Sequence, residues 1–393
     1  MRRNKFTRTP LSWYQLTRNK ARLSVALVGV SLATFAAFVQ LAFRDALYDG
    51  QTAPHRLIKA DLVLINSKMR SLFKSLDFPR QHLYRTLNLD VVESVNYFRY
   101  SRQYLYPENI KGGEGVVIFG INPEKPPFNS SDLDRLAYKL NTTGTVLFDR
   151  GSDFREYGNI AESLELGKPA TAELGIKRVR VDGMVDFAGV SFVDEGNLIM
   201  SDDTYFQVAP ETAAHSADQI TVGLLRLRPG IDSNDAIRQI REQLPDSVSV
   251  MTKQEFIEFE ERYWATTAPI GFILNLGVFV AFSVGVIIVY QILYNEVSDH
   301  LPDYAVLKAR GYKHRYFLNV LFQEAFILAI LGYLPGLAFT IGTYSVARYA
   351  TSLPIFMTVS RASFVLLLAI AMCFTSSAIS MKKLREADPA DLF

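Results

Sequence analysis

Charged and apolar positions are unevenly distributed along this chain. Four stretches contain no Asp, Glu, Lys or Arg: Leu23 to Phe43 (21 residues), Ile270 to Tyr294 (25), Ala325 to Ala347 (23) and Ala362 to Met381 (20). A helix needs roughly 20 apolar residues to cross the hydrocarbon layer, so each run predicts a membrane span. The first run exceeds a typical signal-peptide core, and Ala42-Phe43-Arg44 is a poor small-x-small cleavage site, so it reads as a retained anchor. Between the first and second spans, the alternation predicts a mixed α and β domain. Asp61 to Asn66 and Val116 to Ile121 read as buried strands, and Val179 to Val185 as a half-exposed one. A β-α-β unit follows. Ile220 to Leu227 is the first strand, Ser233 caps a helix with Ala236, Ile237, Ile240 and Leu244 on one face, and Val248 to Met251 is the second strand. Thr252-Lys-Gln-Glu255 has the spacing of a capping box that opens a helix toward the second span.

Charge sets the expected orientation. Residues 1–22 carry seven cations and no acid, whereas 44–269 carry 26 cations against 33 acids, an asymmetry hidden by the net charge of +2. The loop 295–315 holds Lys308, Arg310, Lys313 and Arg315, while 348–361 holds only Arg348 and Arg361. The positive-inside rule then places both termini and the 295–315 loop in the cytoplasm. The expected organisation is as follows. Residues 1–22 form a cytoplasmic amphipathic elbow around Trp13 and Tyr14, and 23–45 the first span. Residues 46–267 form a periplasmic domain, 268–294 the second span and 295–315 a cytoplasmic loop. Residues 316–347 form the third span, 348–361 a periplasmic loop, 362–381 the fourth span and 382–393 a cytoplasmic tail. An anionic leaflet accounts for the basic arm, so no nucleic-acid partner is needed.

Candidate chemistry is sparse. There is no Walker A sequence, so the chain is not its own ATPase. Cys373 is the single cysteine, which leaves no disulfide and no cysteine metal site, and no serine, histidine or carboxylate set stands out as catalytic. The five histidines read as surface or boundary residues. Within the spans only Gln40, Asn275 and Gln291 are notably polar, with Glu296 and Glu324 at span ends, too few groups to line an ion pathway. Small residues recur every fourth position: Gly29, Ala33 and Ala37 in the first span, Gly277, Ala281 and Gly285 in the second. Such ridges let helices approach closely, within one chain or across a dimer. Gly332, Pro335 and Gly336 predict a kink in the third span. Asp299 to Tyr312 reads as a short helix, with Pro302 and Asp303 in its first turn, Lys308 and Arg310 near its end and Gly311 at its stop.

That helix resembles the coupling-helix signature of the FtsX/MacB/LolC-type ABC permeases, an acid ahead of a small-apolar-Leu-Lys-Ala-x-Gly-Tyr run. The sequence is more closely similar to the DevC branch, cyanobacterial permeases named for a heterocyst glycolipid exporter. The shared features include Thr9-Pro-Leu-Ser-Trp13, Gln15-Leu16-Thr17, Leu62 to Asn66, Val289 to Tyr294, His300 to Tyr304, Phe322 to Ala325 and Ala387 to Ala390. Asp303 stands where that family usually has Glu, and Arg310 where it often has Met. The resemblance implies an α-helical membrane protein with four transmembrane helices plus a mixed α+β periplasmic domain, of MacB/FtsX-like, type VII ABC architecture. The domain would be split into a porter-like part (46–122 and 220–265) and an inserted part (123–219). It further implies a homodimer working with a DevA-like ATPase that binds ATP and Mg, a DevB-like periplasmic adaptor and a TolC-like outer-membrane channel. The chain itself would hold no cofactor. Leu301, Asp303, Tyr304, Leu307, Lys308 and Gly311 would dock on the ATPase. Other classes compatible with the sequence are an FtsX-like regulator, which activates a periplasmic partner without transport, and a membrane-anchored sensor.

Overall fold

The computed structural model describes residues 20–107, 112–152, 157, 160–189, 196–209, 217–299, 306, 310, 314–351, 353 and 355–386. They divide near residues 45 and 271 into a unit of long helices and an α/β unit. In chain order the elements begin with α1 (Lys20–Leu57), β1 (Leu62–Asn66), β2 (Phe78–Pro79), α2 (Gln81–Arg85), β3 (Val92–Pro107), β4 (Glu114–Ile121), α3 (Ser131–Leu136) and β5 (Thr145–Asp149). Next come α4 (Ile160–Glu165), β6 (Ala170–Leu174), β7 (Lys177–Val185), β8 (Gly196–Ser201), α5 (Asp202–Val208), β9 (Gln219–Ile220) and β10 (Val222–Leu227). The remaining elements are α6 (Ser233–Gln243), β11 (Val248–Thr252), α7 (Lys253–Thr266), α8 (Pro269–Asp299), α9 (His314–Thr351) and α10 (Val359–Glu386).

Nine strands of the α/β unit form one sheet in the order β11-β1-β10-β3-β4-β8-β5-β7-β6. Its first four strands are mutually antiparallel neighbours, so β10 and β11 run parallel with β1 between them. The expected β-α-β unit is therefore a split one, interleaved with β1 and β3 in a ferredoxin-like order. Leu62-Val-Leu-Ile is apolar throughout because both faces of β1 are covered. Leu62 and Leu64 pack with Ala236, Ile240 and Val250, while Val63 and Ile65 pack with Phe98, Phe128 and Phe256. The cap of α6 is Asp232, whose side chain accepts from the amides of Asn234 and Asp235, and not Ser233, which is the first helical residue. The two are adjacent and of residue types about equally fit for the role, and it is the Asp232 carboxylate that reaches both amides. The capping box of α7 forms as expected: Thr252 Oγ1 accepts from the Glu255 amide at 3.1 Å, and Glu255 Oε2 from the Thr252 amide at 2.7 Å.

The far end of the sheet closes on itself. Residues Leu105 to Pro107 of β3 pair with Leu174 to Ala172 of β6, so β3, β4, β8, β5, β7 and β6 make a closed barrel. Val116, Ile118, Val146, Phe148, Val181 and Leu198 fill it. β4 belongs to this barrel, so the barrel begins before residue 123. Closure pairs residues 172–174 of β6 with β3 where an open sheet edge would otherwise lie.

Asp149 sits at the end of β5 and is fully buried. Its Oδ1 accepts from the amides of Gly151 (3.0 Å) and Phe187 (3.2 Å). Its Oδ2 accepts from Ala188 (2.9 Å), Gly189 (2.6 Å) and Asn197 Nδ2 (2.8 Å). Burial pushes this carboxyl above its usual range, and the hydrogen bonds from Gly151, Asn197, Gly189 and Ala188 oppose that shift. Truncation would strand all five donors, each at roughly 1–3 kcal/mol if left unsatisfied. Asp149→Ala is expected to destabilise the α/β unit by about 4 kcal/mol or more, read as a fall in melting temperature of the full chain in detergent on the order of 10 °C. Asp149→Asn keeps one acceptor oxygen and should fall between that and wild type.

His55 departs from the surface reading. It is 1 % exposed, its ring centroid lies 4.5 Å from that of Phe256, and its Nε2 is 3.5 Å from Glu260 Oε2. The cause is that α1 continues beyond the apolar run into the α/β unit, where α7 covers it. Glu260 is itself buried and fixed by the Leu72 amide (2.7 Å) and Trp264 Nε1 (2.8 Å).

Candidate functional site

Four helices are long and apolar enough to cross a membrane: Lys20–Leu57, Pro269–Asp299, Leu318–Ala350 and Val359–Ser380. Their interior is built from Ala26, Val30, Ala33, Val289, Leu293, Ala325, Leu328, Ala329 and Met372. Because lipid tails are as apolar as these side chains, burial alone does not hold such helices together; close packing and interhelical hydrogen bonds do.

The small-residue ridges lie at those contacts. A Cβ on Gly29 would run into Ile288, and one on Gly277 would come within 2.5 Å of the Gln40 side chain. A Cβ on Gly285 would overlap Met372 Sδ and lie 2.8 Å from Ala33 Cβ, so α1, α8 and α10 meet at one point. Ala37 and Ala281 are also buried. The ridges of α1 and α8 thus face neighbours within the chain. In α9 the pattern repeats. A Cβ on Gly332 would come within 2.5 Å of Val30, and one on Gly336 would strike the Thr34 hydroxyl. α9 remains one helix across Pro335, and Ser31 Oγ donates to the Gly332 carbonyl at 2.8 Å in the turn before the proline. On the α8–α10 side, Ser376 Oγ donates to the Val286 carbonyl at 2.8 Å, and Ser380 Oγ to that of Tyr290 at 3.4 Å.

Two ion pairs tie the helices at their ends. At one end, Arg22 Nη1 meets Asp299 Oδ2 at 2.7 Å, joining α1 to α8 on a well-exposed surface. At the other, Arg361 of α10 grips Asp45 of α1 through Nε (3.1 Å) and Nη2 (2.9 Å). Its Nη1 donates to the Phe356 carbonyl at 2.7 Å, and its guanidinium lies 5.7 Å from the centroid of the Tyr344 ring. Tyr344 in turn donates to the Phe38 carbonyl at 2.6 Å, and Arg44 holds the second oxygen of Asp45 at 2.9 Å. The Arg361 side chain is only 7 % exposed, so this end is a cross-link among α1, α9 and α10.

In the sequence Arg361 is only a loop charge, and Asp45 is one acid among many. Their separation of 316 positions leaves no local signal. The serine pair was findable, since Ser376 and Ser380 are one helical turn apart in an otherwise apolar span. Glu324, expected at a span end, is fully buried in α9. Asn275 and Gln291 are exposed on α8. The expected docking residues Leu301, Asp303, Tyr304, Leu307, Lys308 and Gly311 lie outside the described residues, as do Trp13 and Tyr14 of the elbow.

Among the solved structures similar to part of the chain are the following three, each at low identity and low TM-score. The periplasmic region of MacB from Actinobacillus actinomycetemcomitans is 14 % identical, with 51 % of this chain and 92 % of that one covered and a TM-score of 0.35. For the extracellular domain of the noncanonic ABC-type transporter YknZ from Gram-positive bacteria the values are 12 %, 49 %, 98 % and 0.31. For a domain of a putative permease protein from Porphyromonas gingivalis they are 11 %, 51 %, 91 % and 0.30. No curated protein matches the chain at a significant level. Four apolar helices with a mixed α/β unit between the first and second fit an FtsX-like permease architecture, and residues 275–389, from within the second span into the C-terminal tail, match the FtsX-like permease C-terminal family.

Proposed function

We propose that this chain is the permease subunit of an ABC-type exporter that passes ATP-driven motion from separate ATPase subunits to its own periplasmic domain. The observation that carries the reading is the FtsX-like match over residues 275–389, which brackets the 295–315 loop. The filled helix interior supports it: the contacts of Gly285, Gly332 and Gly336 leave no room for a substrate path at those points, so work is done at the ends of the helices. On this reading the protein is a homodimer in the inner membrane with both termini cytoplasmic. Leu301 to Gly311 dock on a DevA-like ATPase carrying ATP and Mg. The periplasmic domain, with the split sheet as its porter-like part, meets a DevB-like adaptor and a TolC-like channel, and the cargo is a glycolipid by analogy with the DevC branch.

The test is recovery of partners with the tagged full chain from native membranes. A Walker-motif ATPase and an adaptor are the expected companions. Leu307→Asp should cut ATPase recovery ~10-fold or more, because an acid at an apolar contact strands a charge at the interface. Recovery of a cell-wall hydrolase in place of the adaptor would make the chain a regulator, and recovery of no ATPase at all would end the proposal.

A further inference from the structure

Five side chains of the α/β unit form an alternating stack of rings and guanidinium groups. The Arg80 guanidinium lies 5.7 Å from the Tyr84 ring centroid and 5.9 Å from that of Tyr97. The Arg99 guanidinium lies 5.4 Å from Tyr97 and 4.6 Å from Phe206. Separations under about 6 Å are those at which a cation is held by a ring face. The inner half of the stack is saturated. Arg99 pairs with Asp202 at 3.1 Å and donates to the carbonyls of Gln219 and Ala217. Tyr97 Oη donates to Asp202 Oδ2 at 2.5 Å, and burial with that carboxylate pushes the phenol up to about 12, so it remains a donor at neutral pH.

The outer half is open. Tyr84 is 45 % exposed and borders a groove of about 700 Å³ that also takes in Arg80, Gln81, Arg85, Asn88 and Asp218. That volume is within the range of small-molecule sites. Arg80 has one ionic partner in the groove, Asp218, at 3.7 Å with its side chain 87 % exposed. The Arg85 side chain has no ion pair or hydrogen bond among the described residues, so two cations against one acid leave the groove positive.

We propose that this groove binds a small organic anion that carries a flat aromatic ring. Its carboxylate or phosphate lies on the Arg85 guanidinium, whose planar fork matches either group. Its ring extends the existing stack on Tyr84, which an aliphatic ring of the same charge does less well. The amides of Gln81 and Asn88 supply donors and acceptors to its polar edge. The assignment does not depend on the exporter reading, since no ATPase or adaptor enters it.

The test uses the full chain in detergent and calorimetric titration with phenyl phosphate and benzoate. The controls are cyclohexyl phosphate, which has the charge without the π face, and inorganic phosphate, which has the charge alone. Both aromatic probes should bind, with phenyl phosphate at least ~5-fold tighter than cyclohexyl phosphate. Arg85→Gln should weaken phenyl phosphate ~10-fold, as expected for loss of a charge-assisted contact. Tyr84→Ala should erase the preference for the aromatic probe while anion binding persists. Both positions are exposed, so an unchanged melting temperature establishes that the variants fold. Equal affinity for inorganic phosphate would mean an adventitious ion site. Binding unaltered by Arg85→Gln, no binding of either aromatic probe, or displacement of the probes by an acidic peptide at equal concentration would each overturn the assignment.

Discussion

Gly285→Leu is expected to prevent assembly of the four-helix unit. Even the first carbon of the new side chain overlaps Met372 Sδ and lies 2.8 Å from Ala33 Cβ, so α1 and α10 would both have to retreat from α8. Overpacking commonly costs about 1–3 kcal/mol in a core, and more where backbones must separate. In lipid there is no hydrophobic gain to offset it, because the displaced side chains are equally comfortable against acyl tails. The retreat would also stretch the Ser376 bond to the Val286 carbonyl, one residue along from the contact. The expected result is a loss of most of the monodisperse protein on size exclusion in mild detergent, and early heat inactivation of the remainder. Gly342→Leu is the matched control. It adds the same side chain to α9 at an exposed position where a Cβ meets nothing within 4 Å. If both variants behave alike, close packing at Gly285 is not what holds the helices.

Within the helix unit, Arg361→Leu is expected to have the next largest effect. The guanidinium is almost fully buried and satisfies Asp45, the Phe356 carbonyl and the face of Tyr344 together. Removing one member of a buried pair costs about 3–5 kcal/mol, mainly through the charge left behind. Asp45 is 30 % exposed and keeps Arg44, so water and that second cation reduce the figure to about 2 kcal/mol. Because three helices converge there, the loss should appear as loosening of α1 from α10 and not as local fraying. A double-mutant cycle with Asp45→Leu measures the pair directly. The double variant should be less damaged than the sum of the singles by roughly 1–3 kcal/mol, and simple additivity would mean that the two residues do not act together.

How far the chain could be read in advance follows from the reach of each signal. Membrane spans need only a run of uncharged residues, and the four runs beginning at Leu23, Ile270, Ala325 and Ala362 each lie within an observed helix. Buried strands such as Leu62 to Asn66 were visible because apolar residues on both faces leave no alternation to mistake. Pairing order was not visible. Nothing in β10, α6 and β11 announces that β1, more than 150 positions earlier, lies between the two strands. Barrel closure through Leu105 to Pro107 and Ala172 to Leu174 is likewise a long-range pairing of short segments with ordinary patterns. The ridge residues were legible as ridges, and their partners were not. Spacing identifies the face that is small, whereas Ile288, Met372 and Gln40 become neighbours only when the helices are assembled. His55 misled because a histidine just beyond an apolar run ordinarily meets water, and here the helix carries it under Phe256.

The 16-residue β3 runs through both the split sheet and the barrel. Its first half is the partner of β10 in the split sheet, and its second half pairs with β4 and, at its end, with β6, which closes the barrel. At about 3.3 Å per residue it is a single extended segment roughly 50 Å long. Opening the barrel frees the C-terminal half of that strand and exposes the end of β4, which also lines the core beneath the sheet through Val117, Phe119 and Ile121. Sheet and barrel therefore lack separate exits from the native state. Amide hydrogens of β3 from Val95 to Leu105 should exchange with solvent at one common slow rate, limited by global unfolding, as members of one foldon. Two rate classes that divide the strand near Ser101 would show instead that the halves melt in turn.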